Sequence, residues 1–146
     1  MRLPDVNLLL HAIDADSMRH AVAEQWLAER LSGSEEVAFA WVTLTSFLRL
    51  STRARILANP LTPAQALDVM DGWLVRPNVT VVHPTHRHAA VLRQLLEHVG
   101  TGGNLVTDAH LAALAIEHGA TLESADHDFG RFPGLRWEDP LQSSRR

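Results

Sequence analysis

An α/β fold, with helices on both faces of a central and mostly parallel sheet, is predicted by three features of this 146-residue sequence. Short apolar runs alternate with segments of helical periodicity along the chain, the pattern of strand–helix–strand units. The run Val37–Trp41 is compactly apolar, as for a strand covered on both sides. The segment Leu105–His118 is apolar nearly all round, so that helix is largely buried.

The elements follow in order. Residues 2–6 form a short first strand and Asn7–Ile13 a short apolar helix. Met18, Val22, Trp26 and Leu31 recur at helical spacing, so Met18–Leu31 is an amphipathic helix that Gly33 stops. Val37–Trp41 is a strand, Thr43–Ile56 a helix, and Pro60 breaks the chain. Thr62 and Pro63 are a cap and a first-turn proline, opening a helix to about Leu74. Val79–Val82 is a buried strand, Thr85–Val99 a helix ended by Gly100, and Leu105–His118 a helix stopped by Gly119. Thr121–Ser124 is a strand, Asp126 begins a short helical turn, and Leu135–Trp137 is a last edge strand. Trp26, Trp41, Trp73 and Trp137 lie on apolar faces and belong to core or interface. One domain is expected over residues 1–141, with the polar residues 142–146 as a frayed tail.

Composition narrows the chemistry. Hydrophobic residues make up 46% of the chain, enough for a packed core. Cysteine is absent, which removes disulfides, thiolate metal sites and cysteine nucleophiles. All 13 basic residues are arginine. Without lysine the chain cannot run Schiff-base chemistry, build a P-loop, or act as a phosphoaspartate receiver. The net charge is −4, so any RNA binding must be local or helped by metal ions. No apolar run reaches the roughly 18 residues of a membrane helix. The opening MRLPDVN lacks the apolar core of a secretion signal, so a cytoplasmic address without membrane attachment is expected.

In parallel sheets, sites form outside the carboxyl ends of the strands. Asp5 ends the first strand, Asp126 and Asp128 follow the strand Thr121–Ser124, and Asp108 lies in the first turn of the apolar helix. If the first and fourth strands are neighbours, these carboxylates converge. Packed carboxylates repel one another and stay ionised only around a positive charge. With no lysine available, a divalent cation is the natural candidate, and an all-oxygen donor set suits Mg²⁺ or Mn²⁺. Such an ion would serve phosphodiester hydrolysis. Each aspartate also has a plainer role open to it. Asp5 and Asp126 can be helix N-caps, Asp108 can favour the helix dipole, and Asp128 can be a solvated surface charge.

Other polar features are ambiguous. Arg49 and Arg53 share a helix face with Arg55 nearby, and suit either RNA phosphates or salt bridges at a dimer contact. The nine histidines include His83, His86 and His88 around Pro84, without the spacing of a zinc helix. His110 lies next to the acidic region, where it could touch substrate, with a surface or supporting role the favoured one.

Three segments resemble the motifs of the PIN-domain family, and within it the VapC toxins of bacterial toxin–antitoxin pairs. They are Asp5-Val6-Asn7-Leu8-Leu9, Thr107-Asp108-Ala109-His110-Leu111-Ala112-Ala113-Leu114-Ala115, and Ala125-Asp126-His127-Asp128-Phe129 with Phe132 and Pro133 following. The resemblance implies a PIN-like α/β/α sandwich and a Mg²⁺- or Mn²⁺-dependent endoribonuclease. It implies that Asp5, Asp108 and Asp126 are catalytic metal ligands, that Asp128 is an accessory ligand, and that Asn7 and Thr107 orient the carboxylates. It further implies a structured RNA substrate such as tRNA, a homodimer, and an antitoxin that covers the acidic site. One position departs from the family. Ser46 stands where a glutamate is usual, a few residues before an arginine that here is Arg49. An alternative reading is therefore a weakly catalytic relative acting by binding RNA or its antitoxin.

Overall fold

The computed structural model describes residues 1–142, so positions 143–146 of the expected tail lie outside the described residues. The elements run β1 (Arg2–Pro4), α1 (Val6–Ile13), α2 (His20–Ser32), β2 (Val37–Ala40), α3 (Trp41–Ser51), α4 (Pro63–Leu74), β3 (Val79–Val82), α5 (His88–Val99), α6 (Leu105–Glu117), β4 (Thr121–Glu123), a short 3₁₀ helix (His127–Arg131) and β5 (Arg136–Glu138). The sheet has the order β3-β2-β1-β4-β5, and its strand pairings are parallel. β1 and β4 are adjacent, with Pro4 opposite Glu123, so Asp5 and Ser124 leave the sheet side by side.

The strand period of two divides the core. Ala38 and Ala40 face a cluster that includes Leu3, Leu95 of α5 and Leu111 of α6, and Phe129 and Phe132 close it. Val37 and Phe39 face the other way, into Leu8, Trp26, Phe47 and Trp73 from α1–α4. Phe39 stacks on Trp73 with centroids 5.7 Å apart. The sheet is thus enclosed by α1–α4 on one face and α5–α6 on the other. At α4, Thr62 Oγ1 accepts from the Gln65 backbone while the Gln65 side chain accepts from the Thr62 backbone. α5 ends on Gly100 at φ 72°, where a Cβ would be strained. Among the described residues, no helix is long and apolar enough to cross a membrane.

Several elements differ from expectation. β1 ends at Pro4, and α1 starts at Val6 because the Asp5 side chain caps it. α2 begins at His20 and buries Ala23, Trp26 and Leu27. Of the expected apolar face, Trp26 is buried and Leu31 packs against the core, whereas Val22 is exposed and Met18 is exposed before the helix begins. β2 stops at Ala40, and Trp41 opens α3 about half exposed, so of the two roles expected for it the core is ruled out and the interface is not. α3 ends at Ser51, so Arg53 lies in the following turn and does not share a helix face with Arg49. β3 is an edge strand with only Val82 buried, because it has a single neighbour. α5 starts at His88 rather than Thr85, since the Thr85 backbone and hydroxyl both donate to Glu117.

Candidate active site

The carboxyl end of β1 delivers Asp5 with both oxygens engaged. Oδ1 accepts from the Val6 backbone N–H at 2.8 Å, the capping bond of α1. Oδ2 accepts from Ser124 Oγ at 2.8 Å and from Asn7 Nδ2 at 3.2 Å. Asp5 is therefore an N-cap and a cavity wall at once, and the two roles anticipated for it do not exclude each other. Burial is the main influence on its carboxyl and pushes its pKa up; the bonds from Ser124 and Val6 oppose this, and Asp126 reinforces it.

Ser124 is the hub of the site and escaped the sequence reading. It is fully buried at the end of β4. Its hydroxyl donates to Asp5 and accepts from Asn7 Nδ2 at 3.1 Å and from the Asp126 backbone N–H at 3.0 Å. Its carbonyl accepts from Trp137 Nε1 at 3.0 Å, which ties the site to β5. The signal available was its position, directly at the strand end and two residues before Asp126. Asn7 completes the junction by accepting from the Ala125 N–H at 3.3 Å. Asp126 caps the 3₁₀ helix through Oδ1, which accepts from the Asp128 N–H at 2.9 Å.

α6 brings Asp108 into the same cavity from its first turn. Its pKa is raised to about 6, first by burial and then by the charges of Asp5, Asp126 and Asp128. The cavity, about 360 Å³, is lined by Asp5, Asn7, Asp108 and Asp126 with Thr107, Thr43, Ser46 and Arg49 from the surrounding helices. Asp128 is exposed beside it and is not among the lining residues. Among the described residues, no three His, Asp or Glu side chains are already drawn close enough to clasp an ion. Like charges held only by protein dipoles stand apart.

Two other polar clusters compete for attention. A groove of about 680 Å³ lies between α2 and β5 and contains Glu123. Glu123 is completely buried, but Arg30 grips it in a fork at 2.8 and 2.7 Å and Trp26 Nε1 donates at 3.3 Å. The Glu123 charge is already compensated by Arg30, so this carboxylate is not free to hold an ion. His110 does not turn toward the aspartates. Its Nδ1 lies 2.9 Å from His88 Nε2, and His88 Nδ1 bonds Glu117. Burial pushes Glu117 up, and the bonds from Thr85 and His88 outweigh it, leaving its pKa below the ordinary value. This chain of contacts locks α5 onto α6.

Comparison with known proteins agrees with the fold. The PIN domain family matches residues 2–135. "Ribonuclease VapC37" of Mycobacterium tuberculosis is 47% identical over 140 residues, covering 96% of this chain and 97% of that protein. "Ribonuclease VapC33" of the same organism is 39% identical over 142 residues, covering 97% and 99%. Among solved structures, VapBC-1 from nontypeable Haemophilus influenzae matches with a TM-score of 0.68 at 16% identity, covering 97% and 98% of the two chains. VapBC2 from Rickettsia felis, bound to a DNA fragment from its promoter, matches with a TM-score of 0.65 at 21% identity, covering 94% and 96%. At those identities the structures speak for the fold alone. The family match and the near full-length relatives together establish that this chain belongs to the PIN domain family, in its VapC branch.

Proposed function

We propose that the chain is the toxin of a toxin–antitoxin pair, an endoribonuclease of the cytoplasm that hydrolyses tRNA or another structured RNA with Mg²⁺ or Mn²⁺. The observation that carries this reading is the cavity where Asp5, Asp108 and Asp126 gather, with the pKa of Asp108 raised to about 6 by burial and by its acidic neighbours. Carboxylate and hydroxyl oxygens are the donors that hard divalent cations take. Membership of the VapC branch supports the ribonuclease class.

When bound, the ion supplies a polarised phosphoryl oxygen and a water of lowered pKa. The chain's residues do the remaining work. Asp5, Asp108 and Asp126 hold the ion, and Asp128 adds negative charge beside them. Asn7 and Ser124 fix the Asp5 carboxylate, and Thr107 flanks Asp108 in the cavity wall. Arg49 lines the same cavity and is the side chain we assign to an RNA phosphate, by a forked contact. Arg53, on the turn after α3, serves phosphates further along the RNA. These local contacts accommodate a polyanion on a chain of net charge −4. The partner is a small antitoxin that seats a cationic side chain in the acidic cavity, and the protein acts as a homodimer. Membership of the VapC branch supports the antitoxin partner.

Cleavage of total cellular RNA by purified, antitoxin-free protein tests the proposal. Discrete fragments are expected with Mg²⁺ or Mn²⁺, and none with EDTA or with Asp108→Asn. Folded protein that cuts nothing in either metal overturns the enzyme and leaves the RNA- or antitoxin-binding role.

A further inference from the structure

A buried hydroxyl beside the carboxylates has no partner. Thr43 is 2% exposed and its Oγ1 makes no hydrogen bond, yet the residue lines the cavity of Asp5, Asp108 and Asp126. Helical threonines ordinarily donate to a carbonyl three or four residues back. Thr45 does so to Trp41 at 2.8 Å and Thr52 to Leu48 at 2.8 Å, on the same helix or at its end. Thr43 sits in the first turn of α3, where the residue four positions back is Phe39 of β2, outside the helix. Among the described residues, two other buried side-chain atoms lack partners, Ser51 Oγ and Asn78 Oδ1, and neither residue lines this cavity. An unpaired buried hydroxyl costs stability, and valine of the same shape would pack there without that cost. Ser46 stands three residues further along the helix and lines the same cavity.

We infer that Thr43 and Ser46 form a neutral hydroxyl wall that anchors the water shell of a divalent ion held by the carboxylates, with Thr43 a positioning residue. The inference rests on the metal-site reading given above. Magnesium is bound through few carboxylates and keeps several waters. Those waters need acceptors, and each hydroxyl offers two lone pairs besides its proton. The wall also has an electrostatic consequence. A glutamate at position 46 would lie three residues from Arg49 on one helix face and pair with it. Serine leaves the Arg49 guanidinium to the phosphate of the substrate, in exchange for weaker attraction of the ion.

The test is calorimetric titration of the purified full-length protein with Mn²⁺, alongside melting curves in EDTA. Thr43→Val is expected to bind Mn²⁺ roughly tenfold more weakly. Its melting temperature in EDTA should equal or exceed that of the parent, because the orphaned hydroxyl is gone. Thr43→Ser should restore the affinity, and Ser46→Glu should tighten it. Parental affinity in Thr43→Val overturns the inference while leaving the carboxylate site intact. If Thr43→Val fails to melt cooperatively, Ser46→Ala takes its place: weaker binding supports the wall, and unchanged binding overturns it. If the parent binds no Mn²⁺, or Asp108→Asn binds it equally well, the metal-site reading itself fails, which is a distinguishable result.

Discussion

Ser124 Oγ donates to Asp5 Oδ2 across 2.8 Å, although 119 positions separate the two residues in the chain. The same hydroxyl holds the backbone of Asp126, so one buried oxygen sets the spacing of two carboxylates. Ser124→Ala removes these two bonds and the one accepted from Asn7, and leaves Asp5 with Val6 and Asn7. RNA cleavage is expected to fall by roughly 10–100-fold, and stability by about 1–3 kcal/mol. Single-turnover cleavage and urea denaturation measure the two effects; full activity in the variant would sink the positioning role.

Asp108 carries the most displaced carboxyl of the site, with a pKa of about 6 in place of 3.8. The metal-free folded state therefore binds this proton more tightly than the unfolded state. Its contribution to stability is complete below 3.8 and is lost as pH rises through about 6. Asp5 is shifted in the same direction. Melting temperatures in EDTA are expected to drop between about pH 4 and pH 6, and Asp108→Asn should flatten that drop. An identical pH profile in the variant would contradict the assignment.

The same proton competes with a cation. At pH 7.5, Mn²⁺ well above its dissociation constant should raise the melting temperature of the parent by several degrees. At pH 5 the rise should be smaller, because the carboxylates must first lose protons to bind. A rise that is equal at both values would place the ion elsewhere.

Arg30 and Glu123 hold the floor beneath the end of β4. Arg30→Met leaves a buried carboxylate without its cation and should cost about 3–5 kcal/mol in urea unfolding. Arg30→Met combined with Glu123→Leu should recover most of that loss, because the unmatched charge is gone. A double variant as unstable as the single one would mean that the pair contributes packing, not charge compensation.

Much of this protein was legible before its structure. The strand–helix alternation, the Thr62–Pro63 cap and the Gly100 stop are local signals, and the elements they mark form where expected. Asp5 and Asp126 were legible because strand ends are where such sheets present chemistry, and Asp108 because it is a charge in the first turn of a nearly apolar helix. The tertiary bonds that hold them were not. Nothing near Ser124 announces a partner at Asp5, and nothing near Glu123 announces Arg30, 93 residues earlier. Edges misled in the same way: Met18 fits the helical period by spacing but lies before α2 begins, and it is exposed. Arg53 was placed on α3 because no local signal marks the end of that helix at Ser51.

The central position of β1 beside β4 has a consequence for synthesis. Asp5 emerges from the ribosome first, but its neighbour strand and Asp126 are among the last parts of the fold to be made. At ordinary elongation rates the two ends of the site are separated by roughly 6–25 seconds. A nascent chain therefore has no assembled cavity until β4 and Asp126 have left the ribosome, however early Asp5 emerges.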